Sequence, residues 1–206
     1  MGLATDEVSM KILFAAKKLF ARKGFYDTTI RDICREAGVH VMMHSYNFRR
    51  KENVLIALFQ VFLPLTSNVN NNGDTPVDPV ERLKHIIREI VTVRTTDPEI
   101  ILILQHEITL PSPRDEIVQY LVKPLWIELK KVLIEGKRMG LFKFDSLELT
   151  MTFIISTVLL SRQWEFFEKA NQDPKLTADF VTEGMSSLIL SALSLQNESR
   201  TAEERD

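Results

Sequence analysis

The 206-residue sequence predicts an all-α protein of about nine helices, with a small head of three short helices followed by a larger helical body. Three observations carry this. Apolar residues recur at the i, i+3, i+4, i+7 spacing of a buried helix face in segment after segment, and strand-like alternation is absent. Glycine and proline fall between these segments, where helices stop and start. One low-complexity stretch, TSNVNNNGDTPVDP (residues 66–79), divides a basic part of the chain from an acidic one. Residues 1–62 hold ten Lys/Arg against six Asp/Glu, a net +4; the remainder holds sixteen against twenty-two, a net −6. A basic end on an acidic body suits a protein that meets phosphate through one end only.

Residues 1–7 read as a frayed tail. From Val8 to Lys23, Ile12, Leu13, Ala16, Leu19 and Phe20 make an apolar stripe beside Lys11, Lys17, Lys18, Arg22 and Lys23. Gly24 stops that helix and Phe25 tucks under it. The next helix runs from about Thr29 to Ala37, with Ile30, Ile33, Cys34 and Ala37 on one face. Thr28 or Thr29 offers the capping hydroxyl, and Thr29-x-x-Asp32 approximates a capping box. Gly38 occupies the helix-ending position that favours a left-handed residue. Val39 anchors the turn, and a further helix spans about His40 to Tyr46, ending near Phe48. Two short helices joined by a tight turn, the second free to enter a major groove, form a helix-turn-helix.

These residues carry a family resemblance. TTIRDICREAGV followed by SYNF and Lys51-Glu52, with KILFAAKKLFARKGFYDTT upstream, resembles the N-terminal domain of TetR/AcrR-type transcriptional regulators over about the first sixty residues. The resemblance implies a helix-turn-helix domain over 1–50 and a helical effector-binding and dimerisation domain over 51–206. It also implies a double-stranded, pseudo-palindromic DNA operator, a homodimer, and a small-molecule effector that releases a repressor from DNA. The N-terminal part of the reading helix makes His40, Val41, Met43, His44 and Ser45 the candidates for base edges. The family pattern assigns phosphate contacts to Thr29, Tyr46 and Lys51, with Arg49 and Arg50 adding charge at the same edge. Three positions depart from the pattern: His40 replaces the usual Ser, Thr or Asn cap, His44 replaces an inward Leu or Ile, and Asn47 replaces an aromatic residue or histidine. Val41, Met42 and Met43 offer few hydrogen bonds, so readout leans on thymine methyls and DNA shape. The departures motivate a second reading, a TetR-fold ligand-binding or protein-interaction module with weak DNA affinity.

Beyond the head, Lys51-Glu52-Asn53 opens a connecting helix (51–65) that buries Val54, Leu55, Leu58, Phe59 and Phe62, and residues 66–79 read as a mobile loop. Val80–Thr95 presents Leu83, Ile86, Ile87, Ile90 and Val91 on one face. Ile100–Leu110 is apolar nearly all round and is therefore central. A long helix covers about Arg114 to Met139, and Ser146–Ala170 and Ala178–Leu195 are two more, before a charged tail at 197–206. The segment Pro98–Leu129 also resembles an effector-domain pattern of the same family. Leu104, His106, Trp126, Phe153 and Trp164 are the candidate pocket residues and suit an apolar or aromatic ligand. Ile155, Leu159, Leu188, Leu190 and Ala192 are the candidate dimer contacts, since the last two long helices carry more apolar surface than one core face requires.

Other functions find little support. No Gly-x-Ser-x-Gly or phosphate-binding glycine loop is present, so neither catalytic residues nor a cofactor are assigned. His40 and His44 have ligand spacing, but no carboxylate or cysteine in the segment completes a metal set. The single cysteine, Cys34, reads as a small core residue, and a chain unable to form an internal disulfide suits a reducing cytoplasm. The longest apolar runs, Ile100–Leu104 and Thr152–Leu160, fall far short of the ~20 residues a membrane-spanning helix requires.

Overall fold

The computed structural model describes residues 6–43, 48–63, 78–109, 111–159 and 177–194. All of the regular structure among them is helical. In chain order the helices are α1 (Glu7–Lys23), α2 (Ile30–Ala37), α3 (Lys51–Phe62), α4 (Pro79–Thr96), α5 (Pro98–Thr109), α6 (Asp115–Arg138), α7 (Leu147–Leu159) and α8 (Ala178–Ser194). A helical turn at 41–43 opens the segment after α2, whose next four residues lie outside the described set. The loop expected over 66–79 and the ends of the helices expected to reach Ala170 and Leu195 also lie outside it, save for Asp78 and Pro79. No helix among the described residues is long and apolar enough to cross a membrane.

The chain divides into two compact units: Met1–Pro64 with Thr96–Lys123, and Leu65–Thr95 with Pro124–Asp206. The head expected over 1–50 lies within the first unit. In the first unit α1 is the hub, packing against α2, α3 and α5, while α3 also packs on α5. Its core gathers Ile12, Ala16 and Phe20 of α1, Ile33 and Cys34 of α2, Val54, Leu55 and Leu58 of α3, and Ile100, Ile103 and Leu104 of α5. Each such side chain taken fully out of water contributes about 1.5–3 kcal/mol. The nearly all-apolar α5 is central, as its sequence requires, but central to the unit that holds the head.

Charge fixes α5 there as well. Lys17 of α1 is buried, and its Nζ donates to Asp97 Oδ2 at 2.5 Å. Asp97 in turn accepts the Ile100 amide through Oδ1 at 3.4 Å, at the start of α5. The Lys17 ammonium also lies 4.3 Å from the Phe62 ring centroid, a cation–π contact that ties in the end of α3. Further along, α6 continues through Pro124, which lacks the N–H that the Tyr120 carbonyl would accept. The division between units falls at this residue.

The second unit packs α7 on α8 and buries Leu83, Ile86, Ile87, Ile90 and Val91 of α4, the face read from the periodicity. Arg82 joins α4 to α6 by ion pairs with Glu128 and, at 2.6 Å, Glu135. After α6, Gly140 adopts φ 74°, the conformation glycine adopts cheaply. The chain then folds Phe142 back onto Gly136, where a β-carbon would meet the ring at 2.1 Å. The Lys143 amide closes this corner by donating to the Leu193 carbonyl of α8 at 2.7 Å.

Candidate nucleic-acid interface

The head is built from local rules. Asp6 caps α1, accepting the Ser9 amide at 2.9 Å, so the helix opens at Glu7 within the stretch read as a tail; residues 1–5 lie outside the described residues. Gly24 ends α1 at φ 82°. Thr28, fully buried, donates from Oγ1 to the Gly24 carbonyl at 2.7 Å. Thr29 then caps α2 in a complete capping box: Thr29 Oγ1 accepts the Asp32 amide at 3.1 Å, and Asp32 Oδ2 accepts the Thr29 amide at 3.1 Å. Hydrogen bonds from the Thr29 hydroxyl and amide and from Lys23 hold the Asp32 carboxyl down at about 2. Gly38 is left-handed at φ 66° and turns the chain toward the reading segment.

His40 resolves one departure from the family pattern. It stands where a hydroxyl cap is usual, and its ring does the capping, with Nδ1 accepting the Met42 amide at 3.4 Å. The following turn presents Val41, Met42 and Met43 outward, Met42 with 73% of its surface exposed. Three apolar side chains held open to solvent on a capped turn are costly for an isolated head, and they are available to a groove. Val41 and Met43, both named as candidates for base edges, are exposed on this turn. His44, Ser45 and Tyr46 lie outside the described residues.

Past the reading segment, Phe48 is buried and its carbonyl accepts from the Arg50 amide and from Asn53 Nδ2, both at 2.7 Å. Arg49 is left-handed at φ 64°, an uncommon conformation for a side-chain-bearing residue. Both Arg49 and Arg50 are exposed, at the start of α3. They supply two unshielded guanidinium groups beside the reading turn.

Two expected phosphate ligands are engaged elsewhere. The Thr29 hydroxyl donates to Asp32 Oδ2 at 2.8 Å and its amide is used in the same box, so its donors serve the cap. Lys51 points inward. Its Nζ donates to the Phe25 carbonyl at 2.6 Å and the Thr28 carbonyl at 2.7 Å, and it lies 4.2 Å from the Phe25 ring centroid. Burial, foremost, pushes its ammonium below the usual lysine range, with Arg114 adding to the effect; Glu52, Asp27 and Glu107 oppose it. In this geometry Lys51 latches the α1–α2 turn, with one N–H left over.

Of the residues read as a ligand pocket, Leu104 is buried in the first unit, and Trp126 and Phe153 belong to the second. His106 is exposed, while its neighbour Glu107 is buried and pairs with Arg114 instead of facing a cavity. Helical phase explains the split, since adjacent residues on α5 lie about 100° apart. Phe153 is 45% exposed and Trp126 half-buried; Trp164 lies outside the described residues. Of the expected dimer contacts, Leu188 is 68% exposed, Ala192 is exposed, and Ile155 and Leu190 are half-buried. Leu159 is a correction: it is buried in the second unit's own core and presents no surface to a partner. On α8, Val181, Met185, Ile189 and Leu193 point inward, and the adjacent row of Phe180, Gly184, Leu188 and Ala192 points out.

Comparison with known proteins decides the family. Residues 12–58 match the family model described as bacterial regulatory proteins, tetR family. The crystal structure of HlyIIR, a hemolysin II transcriptional regulator, superposes with a TM-score of 0.69 at 30% identity, covering 91% of this chain and 97% of that one. This chain belongs to the TetR family. It is accordingly a TetR-family transcriptional regulator. Among curated TetR-like relatives, the repressor KstR2 of Mycobacterium tuberculosis is 26% identical over 161 residues, 75% of this chain and 79% of KstR2. A match to YttP of Bacillus subtilis, 25% identical, spans 62% of this chain but only 64% of YttP. AibR, solved with isovaleryl coenzyme A and operator DNA, shares the fold with a TM-score of 0.69 at 21% identity.

Proposed function

We propose that this TetR-family chain acts as a cytoplasmic homodimeric repressor that binds a pseudo-palindromic operator and leaves it when a small molecule binds the helical body. The observation that carries the reading is the 41–43 turn. It is capped by His40, set by Gly38 and flanked by the exposed Arg49 and Arg50, so apolar side chains for base edges stand beside cations for phosphate. Repression is supported by the name of the relative KstR2 and effector control by the ligand in AibR. Dimerisation is supported by the outward apolar row on α8 with Leu149 and Phe153 of α7, an exposed surface that suits a second copy. The test is selection of genomic fragments on the purified chain at ~100 mM salt, followed by footprinting. The reading requires two protected half-sites about one helical turn, ~34 Å, apart. Absence of any enriched sequence would overturn it and favour the weak-affinity module, whose support is the inward commitment of Thr29 and Lys51.

A further inference from the structure

Glu107 and Arg114 form an ion pair that is more than nine-tenths buried on both sides. Arg114 donates from Nε to Glu107 Oε2 at 2.7 Å and from Nη2 to Oε1 at 3.1 Å, a two-point contact. The pair joins the end of α5 to the residue before α6, yet its outer face meets the head. The guanidinium carbon lies 4.0 Å from the Phe25 ring centroid and 4.5 Å from that of Tyr26. Phe25 is also the ring that Lys51 approaches, and its carbonyl is one of the two that Lys51 holds. The other belongs to Thr28, the residue before the α2 cap.

A buried ion pair adds little net stability over an apolar pair of the same shape, because desolvation offsets the attraction. The α5 helix already has its apolar core without it. What an apolar pair could not do is hold two aromatic rings of another segment through a cation set on their faces. Glu107 neutralises Arg114, so Lys51 and Arg114 can share Phe25 without driving each other away. Contacts thus run unbroken from Glu107 through Arg114, Phe25, Lys51 and Thr28 to Thr29, the residue that starts α2.

We propose that Glu107 and Arg114 are positioning residues for operator binding: they fix the Phe25–Tyr26 turn and, through Lys51, the start of α2 that carries the reading segment. The proposal rests on the DNA-binding role of the head and adds two residues from outside the helix-turn-helix. Glu107→Gln leaves Arg114 as an uncompensated cation beside Lys51, so the turn loosens although no DNA-facing group is touched. Arg114→Lys keeps the ion pair but loses the flat guanidinium that lies on Phe25 and Tyr26.

The experiment uses the full chain. Hydrogen exchange is followed on the free protein for peptides covering 24–33 and, as internal reference, 83–91, alongside affinity for a fragment selected by the wild-type protein. Glu107→Gln is expected to speed exchange in 24–33, leave 83–91 unchanged, and weaken operator binding about tenfold, within the usual range of site-to-site coupling. Arg114→Lys, in which the buried charges stay paired and folding is retained, is expected to shift both readouts the same way but less. Wild-type exchange and affinity in both variants would overturn the proposal. So would faster exchange in both peptides alike, which marks a general loss of stability. If the wild-type protein selected no DNA, the DNA-binding role would fail, and the 24–33 exchange would still show whether the pair holds the turn.

Discussion

Replacing Lys51 with methionine separates two roles that the same residue could play. As a phosphate ligand it would stand outside the fold; in the structure it holds the Phe25 and Thr28 carbonyls at 2.6 and 2.7 Å and lies against the Phe25 ring. Hydrogen bonds to a charged group contribute about 1.5–3 kcal/mol each, and a cation–π contact about 0.5–2 kcal/mol. Burial of the ammonium opposes these, and methionine retains the apolar stem and its packing. A net loss of about 2–3 kcal/mol remains, chiefly the cost of two carbonyls left without a donor. In a chain of this size that lowers Tm by roughly 5–10 °C. The assay pairs thermal unfolding with operator affinity measured from about 50 to 200 mM salt. A latch predicts lower Tm, weaker binding and an unchanged salt slope. A lost phosphate contact would instead flatten the slope by about 0.9 per protomer and leave Tm alone; that pattern would refute the latch.

Other consequences are equally concrete. The Asp32 carboxyl, held at about 2 against an ordinary 3.8, contributes stability that is present above pH ~4 and lost as pH falls toward 2. Urea midpoints of Asp32→Asn should therefore lack that acid limb, and an identical limb in both proteins would remove the capping box from the account. Gly136→Ala places a β-carbon 2.1 Å from the buried Phe142 ring; the strain of overpacking, about 1–3 kcal/mol, exceeds the helix-propensity gain of about 1 kcal/mol, so Tm should fall. A rise would mean that the ring moves freely. Leu188→Glu puts a charge into the outward row of α8 and should shift sedimentation from dimer to monomer without lowering the helix content of either unit. A dimer that persists would place the interface elsewhere.

Local structure was legible because its causes are local. Gly24 and Gly38 end their helices where the sequence puts them, Thr29 and Asp32 form the box their spacing allows, and the α4 stripe is buried face inward. His40 read as an anomaly because the family norm is a hydroxyl; an imidazole nitrogen one bond-length further out performs the same acceptor role. What was less legible is set by tertiary partners. Lys51 was assigned outward, since nothing in its neighbourhood announces two carbonyls 26 and 23 residues earlier. His106 was named for the pocket, and only the pairing of Arg114 with the neighbouring Glu107 shows which of the two turns in. Leu159 looked like surplus surface because the sequence does not reveal which apolar residues of α7 its own unit consumes. Lys17 was counted with the surface charge of α1, and its partner Asp97 lies 80 residues away.

The most direct test of the regulator reading is the salt dependence of binding to a selected operator compared with scrambled DNA of equal length. The account predicts two protomers per operator, an affinity at least a thousandfold above the scrambled fragment, and a log–log salt slope that Arg50→Ala flattens by about 0.9 per protomer. Equal affinity for both fragments, or binding that does not respond to salt, would contradict it.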